Sequence, residues 1–196
     1  MEIFLMRHGI AEDLEPGEMD ADRELTTKGI AKTGRVALSM QEKGWEFALV
    51  LSSPLVRARQ TAQILLESGL SGALEIHSSL LPEGNLEDWL QWLISYRSTN
   101  STTERLVLVG HEPNLSQWAE MLVFGQVFDR IHLKKAGVIA LQTPDTEDLI
   151  GKCELLWLIP PKCWIWVKQF WAKLRNITIL VKNFDKIATA LWRELH

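Results

Sequence analysis

Cysteine is scarce in this sequence: Cys153 and Cys163 are the only two in 196 residues. They are too few for a disulfide framework and lack zinc-site spacing, so a reducing, cytoplasmic setting is the expectation. Long apolar runs are missing too. None reaches the ~20 residues of a membrane-spanning helix, and the opening residues lack the basic, then apolar, then small order of a secretory signal. There is no internal repeat and no low-complexity segment. Positive charge is deficient over most of the chain. Residues 1–151 hold 13 Lys and Arg against 22 Asp and Glu, which excludes the broad positive potential that nucleic-acid binding needs. Residues 152–196 reverse that balance, eight to three, and carry five of the nine tryptophans: Trp157, Trp164, Trp166, Trp171 and Trp192.

What is present reads as an ordinary globular protein. Hydrophobic residues are 46% and charged residues 23%, and the length suffices for one full core plus an appendage. Strand and helix patterns alternate. Short apolar strands are predicted at 2–6, 47–53, 73–77, 105–110, 137–143 and 153–159. Helices are predicted at 25–44, with Thr26 as N-cap and Gly44 as stop, at 55–69, at 85–97 with Asn85 as cap, and at 114–125 with Asn114 as cap. This alternation predicts an α/β three-layer sandwich with a mostly parallel central sheet flanked by helices.

In such a fold, ligands bind outside the carboxyl ends of the parallel strands. Three strands end there in polar residues, within "MRHG", "SSPLVRARQ" and "VGHEPN". Together they offer Arg7, His8, Arg57 or Arg59, and His111. Two arginines and two histidines converging on one pocket make an anion site, since guanidinium matches phosphate oxygens bidentately. Gly9 and Gly110 are expected to let the backbone approach a bound group. Ser53, Thr61 and Glu112 fit either a place near the pocket or ordinary capping roles. Glu12 and Asp13 read as the start of a solvated loop. His77, His132 and His196 lie outside these motifs. Trp45, Trp89, Trp92 and Trp118 read as core residues.

"RHG" after the first strand, "SSPLVRARQTA" and "GHEPN", in that order over residues 1–158, resemble the histidine phosphatase superfamily, which includes the phosphoglycerate mutases. "RHGIAED" and "ELTTKG" look most like the SixA-type phosphohistidine phosphatases. The resemblance implies a phosphate pocket of Arg7, His8, Gly9, Arg57 and His111, with His8 as nucleophile. It selects Arg57 over Arg59, which falls on a variable position. The implied activity is hydrolysis of phosphohistidine in proteins, such as a phosphotransfer domain, through a phosphorylated His8. Arg7, Arg57 and protonated His111 supply positive charge, and no metal or cofactor is called for. The alternatives are a small-molecule phosphomonoesterase, or a phosphate-binding regulatory module without turnover. Mutase-like relatives carry a glutamate as general acid; here the comparable stretch is "LLPEGNLEDW", where Glu83 is either that acid or a solvated loop residue.

The catalytic domain is placed at 1–158 and an extension at 159–196. In the extension, apolar residues recur at helical spacing over 163–191 after Pro160 and Pro161, so 161–194 is predicted as a basic, tryptophan-bearing amphipathic helix. Such a helix docks on its own core, pairs with a second copy, or lies on an anionic membrane surface.

Overall fold

The computed structural model describes residues 1–17, 19–100 and 104–164. Among these, a six-stranded sheet has strand order β3-β2-β4-β1-β5-β6. The strands are β1 (Glu2–Arg7), β2 (Leu49–Ser52), β3 (Leu74–Ile76), β4 (Arg105–Gly110), β5 (Val138–Gln142) and β6 (Glu154–Ile159). The pairs β1–β4, β4–β2 and β2–β3 are parallel. β5 runs antiparallel to both β1 and β6. The helices are α1 (Thr27–Gln41), α2 (Val56–Glu67), α3 (Leu86–Thr99) and α4 (Asn114–Phe124).

Side-chain alternation along the central strands divides the interior in two. Ile3 and Leu5 of β1, Leu106 and Leu108 of β4, and Ile139 and Leu141 of β5 point to one face, where Trp89, Leu90 and Leu93 of α3 and Leu115, Trp118 and Leu122 of α4 cover them. Phe4, Met6, Val107, Val109, Val138 and Ala140 point to the other, under Val36, Ala37 and Met40 of α1 and Ala58, Ala62 and Leu65 of α2. Helices on both faces of a mostly parallel sheet make the three-layer sandwich. It also explains why the central strands read as unbroken apolar runs. Burying each large side chain is worth roughly 1.5–3 kcal/mol.

Local signals explain the helix ends. The Thr26 hydroxyl accepts the Gly29 N–H, and the Asn85 carboxamide accepts the Glu87 N–H. The chain leaves α1 at Glu42 and turns through Gly44, at φ +71°. Asn114 departs from expectation. Pro113 is the N-cap, Asn114 is the first helical residue, and its Nδ2 donates to the carbonyls of Leu81 and Gly84. Its side chain serves a neighbouring loop rather than its own helix.

At the end of the described chain, residues 161–164 are helical. Trp164 is buried against Trp45 and Trp157. The remainder of the expected amphipathic helix, 165–194, lies outside the described residues. Among the described residues, no helix is long and apolar enough to cross a membrane.

Candidate active site

Strand register assembles the site. Arg7 at the end of β1 lies opposite Gly110 at the end of β4, and the His8 N–H donates to the Gly110 carbonyl at 3.0 Å. This brings the His8 and His111 rings to a centroid separation of 5.1 Å. β2 lies on the other side of β4, and the Ser53 N–H donates to Val109 O at 2.9 Å. α2 therefore starts beside the two histidines and delivers Arg57 from its first turn. Arg59, two residues on, is exposed.

The result is a cavity of about 300 Å³ lined by Arg7, His8, Arg57 and His111, with Asp20, Arg23, Lys135, Pro82 and Glu112 around them. Glu83 sits next to Pro82 but is exposed and does not line this cavity. The carboxylates that do line it belong to Glu112 and Asp20. A larger cleft of about 410 Å³ lies beside Met1, Arg97 and Asn100 and presents no histidine or cysteine.

Each pocket side chain has a definite hydrogen-bonding state. The Gly9 carbonyl oxygen lies 2.7 Å from His8 Nδ1. A carbonyl only accepts, so Nδ1 carries the proton and Nε2 keeps a lone pair. Burial, then the neighbouring His111, Arg57 and Arg7, push the His8 pKa down to about 3, against the Gly9 carbonyl, which raises it. His8 is thus a neutral imidazole. His111 Nε2 is 2.8 Å from Ser53 Oγ, and its Nδ1 is buried without a partner. Burial, then Arg57 and Arg7, lower its pKa to about 4, opposed by Asp20. Burial, Arg57 and Arg7 therefore disfavour the protonated His111 of the sequence expectation.

Arg7 Nη1 donates to the Leu133 carbonyl at 2.9 Å, and its Nε is buried without a partner. Burial lowers the guanidinium pKa, and Glu112 opposes that. Arg57, only 5% exposed, donates through Nη1 to the Asp20 carbonyl at 2.6 Å and through Nη2 to the Asp20 carboxylate at 2.8 Å. Lys135 completes a cationic rim. Burial lowers its pKa first, and Arg7, Arg23 and Arg57 add to the effect against Asp13.

The two glycines act differently from expectation. A Cβ on Gly9 would sit 2.6 Å from Thr33 Oγ1, and one on Gly110 3.2 Å from Leu115 Cδ2. Both make room for neighbouring helices rather than for a ligand. The Gly9 N–H is already bonded to Thr61 Oγ1 at 3.0 Å, while the Thr61 hydroxyl donates to the Arg57 carbonyl at 2.8 Å. Thr61 thus ties the turn after His8 to the helix that carries Arg57. His77 and His132 lie outside the cavity; His77 Nδ1 meets Ser79 Oγ at 2.6 Å.

Some contributors carry no sequence motif. Ala136 donates its N–H to the Arg7 and His8 carbonyls, each at 3.1 Å. The loop that holds Ala136 and Leu133 is anchored by Glu120 of α4. Its buried carboxylate accepts the N–H groups of Phe128, Asp129, Arg130 and Ile131.

Comparison with known proteins agrees with this geometry. The family model of the histidine phosphatase superfamily (branch 1) matches residues 3–115. An uncharacterized protein of Picosynechococcus sp. is 44% identical over 143 residues, covering 73% of this chain and 86% of that protein. Among solved structures, the protein histidine phosphatase SixA complexed with tungstate is similar with a TM-score of 0.71 at 24% identity, over 82% of this chain and 97% of that one. The alpha-ribazole phosphatase from Shigella flexneri is similar with a TM-score of 0.61 at 18% identity, over 82% and 97%. At these identities the structural likeness speaks for the fold.

Proposed function

The chain belongs to the histidine phosphatase superfamily, and from that premise we propose that it hydrolyses phosphohistidine in proteins through a phosphoenzyme on His8. The observation that carries the reading is His8 itself. It lines an anion-seeking pocket with its proton held on Nδ1 by the Gly9 carbonyl and its Nε2 lone pair free. Attack by Nε2 on phosphorus forms one N–P bond as the bond to the leaving imidazole breaks, and the electron pair stays on that imidazole. Water then attacks the phosphorylated His8, its N–P bond breaks, and inorganic phosphate is released. One hard displacement becomes two easier ones. Arg7 and Arg57 meet the charge on the equatorial oxygens, which is the main demand of phosphoryl transfer. A phosphoryl anion offsets the neighbouring cations, so its arrival raises the His111 pKa and strengthens it as a donor.

The leaving group decides the substrate class. An alkoxide requires a proton donor, whereas an imidazole departs with less help. Glu83, the sequence candidate for that acid, is exposed and off the cavity wall, which supports an N–P substrate. A cavity rimmed by loops and Lys135 suits a phosphohistidine presented on a protein surface. The second reading, a small-molecule phosphomonoesterase, rests on Glu112, a carboxylate that does line the cavity while accepting from Ser116 Oγ at 2.7 Å.

One set of assays separates the readings. Wild type is expected to dephosphorylate a phosphohistidine-bearing phosphotransfer domain far faster than an alkyl phosphomonoester. Labelled substrate and an alkaline quench trap acid-labile phosphate on the enzyme, and His8→Ala abolishes both turnover and trapping. Faster ester hydrolysis, lost in Glu112→Gln, would favour the second reading. Turnover that survives His8→Ala would remove the covalent mechanism.

A further inference from the structure

Arg57 is paired with a residue of the chain itself. Asp20 stands on a 3-10 turn (Asp20–Asp22) in the long connection from β1 to α1. One carboxylate oxygen lies 2.8 Å from Arg57 Nη2 and the other 2.8 Å from Arg23 Nη1, while the Asp20 main-chain oxygen takes Arg57 Nη1 at 2.6 Å. Both terminal nitrogens of the pocket's most buried cation thus donate to one residue. The other pocket guanidinium, Arg7, has already given Nη1 to Leu133.

One carboxylate oxygen and one main-chain oxygen of Asp20 thus take the two arms of the guanidinium fork, the donors that a phosphoryl group would use there. The two anions compete for the same donors. We propose that Asp20 is an internal occupant of the phosphoryl cradle, which an incoming phosphoryl group must displace from Arg57. This rests on reading the pocket as a phosphoryl site. The anchoring is lopsided in a way that suits exchange: the Arg57 side chain is 6% exposed, but that of Asp20 is 50% exposed. The described residues from Glu12 to Asp22 are all exposed, and besides the Asp20–Arg57 bonds the segment is joined at its base by the Ala11–Leu25 bridge and by the Glu12 N–H donating to the Glu24 carbonyl. A segment with so few buried contacts moves at low cost. Arg23, which holds the other oxygen, stays at the rim and follows Asp20 or turns to the new anion.

Two consequences follow. The apparent affinity for any anion is multiplied by the fraction of molecules in which Asp20 has left, so every Kd rises by the same factor, and a substrate held by additional contacts still binds where a weak free anion does not. After hydrolysis, the returning carboxylate competes with product phosphate and shortens its stay.

Calorimetric titration of the full chain with inorganic phosphate, at fixed pH and ionic strength, tests this. Asp20→Asn and Asp20→Ala are expected to bind phosphate about 3–10-fold more tightly than wild type, the range for an open state populated at about a tenth to a third. Arg57→Ala and Arg57→Lys are expected to weaken binding, and Arg59→Ala, on an exposed site outside the pocket, serves as the control. Unchanged or weaker phosphate binding in both Asp20 variants, with the Arg57 variants still impaired, would overturn the internal-occupant role and leave the pocket reading standing. Arg57 variants that bind phosphate as wild type does would remove the pocket reading and this inference with it.

Discussion

The His8 imidazole is neutral because of one carbonyl and its surroundings. The Gly9 oxygen sets the tautomer, and burial beside His111, Arg57 and Arg7 keeps a second proton off. An unperturbed histidine titrates near 6.5; these two are held down at about 3 and about 4. Imidazole NMR of the free enzyme is therefore expected to show no titration of either ring between pH 8 and 5.5. A midpoint near 6.5 for His8 would contradict the assignment. The sign for stability follows from proton counting. Below about 6.5 the unfolded histidines bind protons that the folded ones refuse, so acidification favours the unfolded state. The melting temperature should fall as pH drops from about 6.5 toward 4, and should fall less in His8→Ala. Phosphate should blunt the fall at His111, since an anion raises the folded pKa toward the unfolded one. The residues of the three motifs were legible because strand-end Arg and His are chemically conspicuous. Asp20 was not, since an aspartate in an acidic loop looks like any solvated residue until Arg57 is seen against it.

At the scale of elements, parallel register does most of the assembly: β1, β4 and β2 end side by side, so three distant motifs meet. The loop from Gln126 to Gly137 is the exception, since no periodicity marks it. It is built around Glu120, whose two oxygens accept four backbone N–H groups, and its far end supplies the Leu133 carbonyl to Arg7. Glu120→Gln replaces one acceptor oxygen by an NH2 that faces two donors. At about 1–3 kcal/mol for each buried donor left unpaired, a drop in stability of a few kcal/mol is expected in thermal or urea unfolding. Because Arg7 loses its support, phosphate affinity should fall as well. Unchanged stability with unchanged phosphate binding would show that the loop is held by other contacts. Asn114 plays the same kind of part for the 81–84 turn. Both polar residues sit on α4 and act across space, which is why helix-cap logic alone misassigned Asn114.

For the whole molecule, two cores on either face of one sheet leave the pocket at a single edge. The boundary expected at 158 places Trp164 in the extension, yet its indole is buried beside Trp45 and Trp157, with the Trp45 and Trp157 rings stacked at 5.2 Å. A chain ended after Trp164 is expected to be more stable than one ended after Lys162 by roughly 3–5 kcal/mol, the scale of removing a large buried aromatic. Thermal unfolding of the two truncations checks this; equal melting temperatures would show that Trp164 is not part of the core. Comparing the longer truncation with the full chain, by co-sedimentation with anionic liposomes and by oligomeric state, tests what residues 165–196 contribute.

The strand and helix order and the sheet class were legible in the sequence alone, because apolar runs and caps are local signals; charged strand ends marked Arg7, His8 and His111, while only the family resemblance separated Arg57 from Arg59. Tertiary structure decided the rest. A Cβ on Gly9 would collide with Thr33 and one on Gly110 would press on Leu115, which no local pattern records. His111 is neutral because it is buried beside Arg57 and Arg7, cations drawn from two separate segments. Arg57 is paired because a loop residue 37 positions earlier reaches it. Each of these depends on the distance between groups far apart in the chain, and that distance exists only once the sheet has closed its register.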